Sequence, residues 1–115
     1  MAIFTKYLLD ENKVPYPVEN IDEWAKGMEV LDTRIVKQEQ QGDYFISTVF
    51  LGLDHNLEQG DPILFETMIF HHPKGEATNY EDLYVDRYTT YQESLEGHQK
   101  AIDHSLTLKS TPVKL

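Results

Sequence analysis

Residues Ser47–Phe70 read STVFLGLDHNLEQGDPILFETMIF, and their pattern decides the fold. Two apolar runs, Tyr44–Leu53 and Ile63–Phe70, flank a connector that holds Asp54, His55, Asn56, Gly60, Asp61 and Pro62. In the first run Tyr44, Ile46, Thr48 and Phe50 fall on one face, and Phe45, Ser47, Val49 and Leu51 on the other. Apolar groups on both faces predict a central strand. In the second run Ile63, Phe65, Thr67 and Ile69 alternate with Leu64, Glu66, Met68 and Phe70. Glu66 is the exception in that apolar run. A buried, unpaired carboxylate costs several kcal/mol, so it must find a partner or shift its pKa. The structural alternatives are a half-exposed face, or Arg34, Lys37 or backbone donors as partners.

Working outward, Gln41-Gly42-Asp43 is a turn signal, predicting an antiparallel hairpin between Thr33–Gln38 and Tyr44–Leu53. Upstream, Asn20 with Glu23 three residues on resembles a helix start, and Ile21, Trp24, Ala25 and Met28 follow at helical spacing. Gly27 weakens that helix, whose end is expected near Leu31. Ile3–Leu9 reads as a first strand, and Pro15 and Pro17 as an unpaired extended connection. Downstream, residues 73–86 (PKGEATNYEDLYVD) have a loop-like composition. Thr90 and Glu93 form a capping-box pattern opening a helix to about His104, with Tyr91, Leu95, His98 and Ile102 as its apolar stripe. The tail after Leu106, with Pro112, is expected to be irregular. The order β-α-β-β-β-α predicts a single α+β domain over residues 1–115: an antiparallel sheet of about four strands with two helices packed on it.

Composition narrows the function. Twenty acidic and ten basic residues give a net charge of −10. Phosphate-backbone binding depends on lysine and arginine, so nucleic acid is disfavoured as a partner except by acidic mimicry. The absence of cysteine excludes disulfides and thiolate metal sites. No apolar stretch approaches a membrane span, and the opening residues lack a signal-peptide pattern, so no membrane association is expected.

Chemistry-bearing residues cluster around the quoted segment. Glu66 is a candidate base or ligand contact, and His98 lies on a helical stripe that must face the sheet, where it could meet Glu66. Asp54 and His55 stand at a strand end, a common place for functional loops. Turn chemistry explains Asp54 equally well. His55, Glu66, His98 and Asp54 are ligand types that zinc or manganese sites use, yet no spacing is diagnostic, and neither a metal nor another cofactor is expected. There is no nucleophile motif and no phosphate-binding glycine loop. Ser47 and Thr48 read as ordinary strand residues.

The segments STVFLGLDHN, PILFETMIF and YTTYQESLEGH, together with the opening KYLLDENKVPYPVENIDEWAKGMEVLDTRIVKQEQQGD, resemble a family of short proteins encoded by tailed bacteriophages and prophages. The likeness covers most of the chain. It departs at Asp61, where the family tends to proline, at Tyr91 in place of tryptophan, and in a longer segment from His71 to Asp86. The family's distinctive positions fall here on Asp54, His55, Glu66, Thr67, Thr90, Glu93, Gly97 and His98. The resemblance implies a phage accessory protein; with the small acidic domain and the missing catalytic signature, the expectation is a protein of the host cytoplasm that binds a host macromolecule, such as a host protein, or a small-molecule ligand without catalysis, to blunt host defence or redirect host metabolism. Candidate ligand-binding residues are Asp54, His55, Glu66, Thr67 and His98. Two other readings remain open: a small metal-dependent or acid–base enzyme using Glu66, His55 and His98, and a minor virion component. Homo-oligomers are compatible with the sequence.

Overall fold

The computed structural model describes residues 5–56, 58–73 and 79–108, with residues 79–82 through their backbone. The expectations placed on residues 3, 4, 74–78 and 109–115 lie outside the described residues.

The fold is α+β. Its elements run β1 (Tyr7–Leu9), β2 (Pro15–Pro17), α1 (Ile21–Met28), α2 (Leu31–Arg34), β3 (Ile35–Gln41), β4 (Tyr44–Phe50), β5 (Phe65–His71), β6 (Asn79–Tyr88) and α3 (Tyr91–Ser105). The main sheet is antiparallel with order β3-β4-β5-β6, so β4 and β5 are its central strands, as their two-sided apolar character requires. Gln41 pairs with Tyr44, which leaves Gly42 and Asp43 as a two-residue loop. Gly42 has φ +59, the left-handed value that this tight hairpin demands at its first loop position.

Four expectations are corrected. Residues 79–88 are not loop: they form β6, the edge strand paired with β5 from Phe65↔Tyr88 to His71↔Asn79. Exposed Asp86 and Arg87 suit a solvated edge, and two register shifts beside Phe70 break its regularity. The fourth strand of the main sheet is thus β6, while β1 belongs to a separate two-stranded sheet with β2. Pro15 and Pro17 do pair there. Val18 N donates to Lys6 O at 2.8 Å and Asp10 N to Val14 O at 3.0 Å, so the alternate residues carry the ladder. Each proline nitrogen therefore falls where a strand nitrogen points away from its partner. Finally, α1 stops at Met28, and Thr33 and Arg34 belong to the single helical turn α2 before β3 begins.

Helix α3 lies on one face of the main sheet, over Ile46, Thr48, Thr67 and Ile69, all of them buried. Its buried residues are Ser94, Gly97, His98, Ala101, Ile102 and Ser105. The stripe expected from Tyr91, Leu95, His98 and Ile102 is therefore rotated: Tyr91 and Leu95 are only half-buried, and small side chains form the seam. Small residues let the helix axis approach the sheet closely, and that approach buries His98. The capping box forms, with Glu93 N donating to Thr90 Oγ1 at 3.0 Å and Thr90 N to Glu93 Oε1 at 3.2 Å. Hydrogen bonds from Thr89 and Thr90 hold the Glu93 carboxyl below its ordinary pKa. Two apolar clusters sit beneath the helix. One gathers Ile46, Ile69 and Ala101, and the other gathers Phe50, Leu64 and Phe65 with Tyr88 and Tyr91 against them.

Candidate functional site: a buried polar chain under the last helix

Thr48 on β4 and Thr67 on β5 are direct cross-strand partners on the face that α3 covers. Their hydroxyls are 2.5 Å apart, and both residues are fully buried. His98, 1% exposed, enters from α3 and places Nδ1 2.6 Å from Thr48 Oγ1. On its other side Nε2 lies 3.0 Å from Glu39 Oε1, on edge strand β3. Lys37 Nζ stands 3.7 Å from the same carboxylate. The line Glu39–His98–Thr48–Thr67 thus runs across three strands.

The charges fix its direction. Glu39 is held below the ordinary carboxylate range, first by its hydrogen bond with His98 and further by Gln41 and Lys37, against its own desolvation. An ionised carboxylate only accepts, so Nε2 carries the imidazole proton and Nδ1 is an acceptor. Thr48 O–H therefore donates to Nδ1 and Thr67 O–H donates to Thr48 Oγ1. Burial pushes the His98 pKa down, outweighing the contact with Glu39, and the ring is neutral at pH 7. The Tyr88 hydroxyl sits at the far end, buried beside Thr67. Thr67 lowers the Tyr88 pKa without closing a hydrogen bond, and burial, the larger effect, pushes it to about 12.

Acid, histidine and hydroxyl in this order form the arrangement that activates a nucleophile in acyl-transfer sites. Here the hydroxyl cannot be reached, because Thr48 and Thr67 have no exposed surface. A cleft of about 440 Å³ opens between β6 and α3, lined by Asp86, Arg87, Tyr88, Glu96, Gly97 and Lys100. It ends at the Tyr88 ring, whose oxygen is buried. The arrangement ties three strands and a helix together, and a buried network whose bonds run from Glu39 to Thr67 favours one packing, with the Tyr88 hydroxyl left unpaired at its end.

Of the residues proposed from sequence, Thr67 and His98 meet in this chain, while Glu66 does not join them. It precedes Thr67 by one residue and so faces the opposite side of the sheet. There it is 8% exposed and bonded to its cross-strand neighbour, with Arg87 Nε 2.8 Å from Oε2. The partner is Arg87, not Arg34 or Lys37. Arg87 lies just past the segment read as loop and was assigned to no strand, so no cross-strand neighbour could be named. Because the Arg87 side chain is half-exposed, removing its counter-charge does not strand a buried cation. Glu66→Gln is expected to cost only about 1 kcal/mol in a urea melt, and a loss of 3 kcal/mol or more would show the pair to be sealed.

Asp54 has a structural role. Its Oδ1 accepts Asn56 N at 2.8 Å and Ile63 N at 2.9 Å, closing the connector between β4 and β5. His55 is exposed in that connector, with its backbone N bonded to Ile63 O. Glu66, His55 and His98 are therefore not gathered into one site. Among the described residues no group of three or more His, Asp or Glu is placed to hold a metal ion. Sequence reasoning missed Glu39, Thr48 and Tyr88. The register Thr48↔Thr67 was within reach once the two strands were aligned, but Glu39 lies on a polar edge strand and carried no signal. No family model, curated protein or solved structure matches this chain.

Proposed function

We propose that this chain is a phage accessory protein that acts by binding a host protein, without catalysis. The observation that carries the reading is the sealed state of its only acid–histidine–hydroxyl arrangement among the described residues. A group that touches no solvent transforms no substrate, so the chemistry available to a partner lies on the surface, which is strongly acidic. The resemblance to phage proteins supplies the setting.

The test pairs affinity copurification from a bacterial host lysate with the variant Thr48→Val. Valine keeps the volume but leaves His98 Nδ1 and Thr67 without a partner, which should lower stability by about 2 kcal/mol. Below its melting temperature the folded variant should retain the same host protein at wild-type yield. A folded Thr48→Val protein that still binds but loses its effect on the host would mean that the buried chain performs chemistry, and would overturn the reading.

A further inference from the structure

Helix α3 covers one face of the main sheet, and among the described residues the other face is left open. Register defines that second face as rows of cross-strand partners. Ile35, Val49, Glu66 and Arg87 form one row, and Gln38, Ser47, Met68 and Val85 the next. Gln40 and Phe45 begin a third. Under α3 the two central strands bury Ile46, Thr48, Thr67 and Ile69 completely. On the open face the same strands leave Phe45, Val49 and Met68 only half-buried. At the edges Ile35 is 36% and Val85 40% exposed. A covering layer would bury the central positions first, so these apolar side chains lack one.

The polar members of the face are already bonded inside it. Gln38 Nε2 donates to Ser47 Oγ, Gln40 Nε2 to His72 O and Arg87 Nε to Glu66 Oε2, each at 2.8 Å. Covering the face therefore desolvates few unpaired polar groups. Its charge sets it apart from the rest of the molecule. The two complete rows carry one carboxylate and one guanidinium, which cancel, on a chain whose net charge is −10. Two copies repel each other least where they meet through such a surface. The pair is also self-complementary. A two-fold axis through the face sets Arg87 of each copy toward Glu66 of the other. The Arg87 side chain is 47% exposed, and among the described residues only its Nε is bonded.

We propose that this face joins two copies of the chain, sheet against sheet, with Val49, Met68 and Val85 interleaved and the Glu66–Arg87 pairs crossed between the copies. Sheets packed in this way lie about 10 Å apart. Four strands spaced about 4.8 Å apart make a small face. It falls at the low end of stable interfaces, so the dimer is expected to dissociate in the micromolar range. A host partner is not needed for it and can still meet the acidic remainder of the surface.

Sedimentation equilibrium of the purified chain over roughly 1–200 µM tests the dimer. The expected mass rises from 13.4 kDa toward twice that value. Val85→Glu puts a carboxylate at an exposed point of the face and should weaken association about tenfold. Ile35→Glu, at the opposite edge, should do the same, so the test stands if one of the two fails to fold. Gln99→Glu adds the same charge on the exposed side of α3 and should leave the dimer intact. Circular dichroism at the lowest concentration checks that each variant is folded. A wild-type chain that stays at the monomer mass throughout would overturn the proposal and leave the face to another occupant. A dimer that folded Val85→Glu and Ile35→Glu leave unchanged would place the contact elsewhere and overturn it as well.

Discussion

Replacing His98 with alanine is expected to lower the unfolding free energy by about 4 kcal/mol. The loss combines a cavity under α3 with a buried Thr48 hydroxyl that has no acceptor and a Glu39 carboxylate that has lost its imidazole donor. His98→Asn keeps a polar atom near the position of Nδ1 and should recover part of the loss. A urea series on both variants checks this, and a loss below about 1 kcal/mol for alanine would show that the chain contributes little. The same histidine gives stability a pH dependence of known sign. Its folded pKa lies below the unfolded value of 6.5, because burial disfavours the cation. The unfolded chain therefore binds a proton first. Stability is fully present above pH 6.5 and declines as pH falls below it, towards the folded pKa. Glu39, also depressed in the fold, adds a second decline as pH falls below its unfolded value of 4.5. In His98→Ala the component beginning near pH 6.5 should disappear.

The second large effect is expected at Gly97. A Cβ at this position would overlap the ring and hydroxyl of Tyr88, which is anchored in β6 opposite Phe65. On an exposed helix, alanine would be favoured over glycine by about 1 kcal/mol. Here the overlap reverses the sign, and Gly97→Ala should destabilise by about 2 kcal/mol net. Tyr88→Ala removes the obstacle, so in that background the same substitution should cost little. A double-mutant cycle reads the coupling directly, and independent effects would contradict the close approach.

These sites show where sequence logic held and where it stopped. The two central strands were legible because Tyr44–Phe50 and Phe65–His71 bury side chains on an alternating pattern that few other structures satisfy. The α3 start was legible because Thr90 and Glu93 solve the problem of unpaired helix N–H groups within four residues. Strand β6 was not, since an edge strand needs apolar residues on one face only and its charges resemble a loop. The α3 stripe was drawn through Leu95, whereas the helix seats itself by Ser94, Gly97, Ala101 and Ser105, whose small size leaves no hydrophobic signal. Glu66 drew attention as a carboxylate among apolar neighbours, but its environment is set by register with Arg87, a long-range fact. The buried chain was half legible. Thr67 and His98 came from the pattern and the resemblance, while Glu39 required the sheet to be assembled first.

The buried chain Glu39–His98–Thr48–Thr67 is the centre of the account, and the ring nitrogens of His98 report on it most directly. A ¹⁵N-labelled sample observed by long-range ¹H–¹⁵N correlation across pH 8 to 5 gives both the tautomer and the titration. The account predicts the Nε2–H tautomer with Nδ1 unprotonated, and a ring whose protonation in the folded protein sets in only below pH 6.5. A His98 that shows the Nδ1–H form, or that titrates reversibly near pH 6.5 within a native spectrum, would contradict the sealed chain and reopen the site to solvent and substrate.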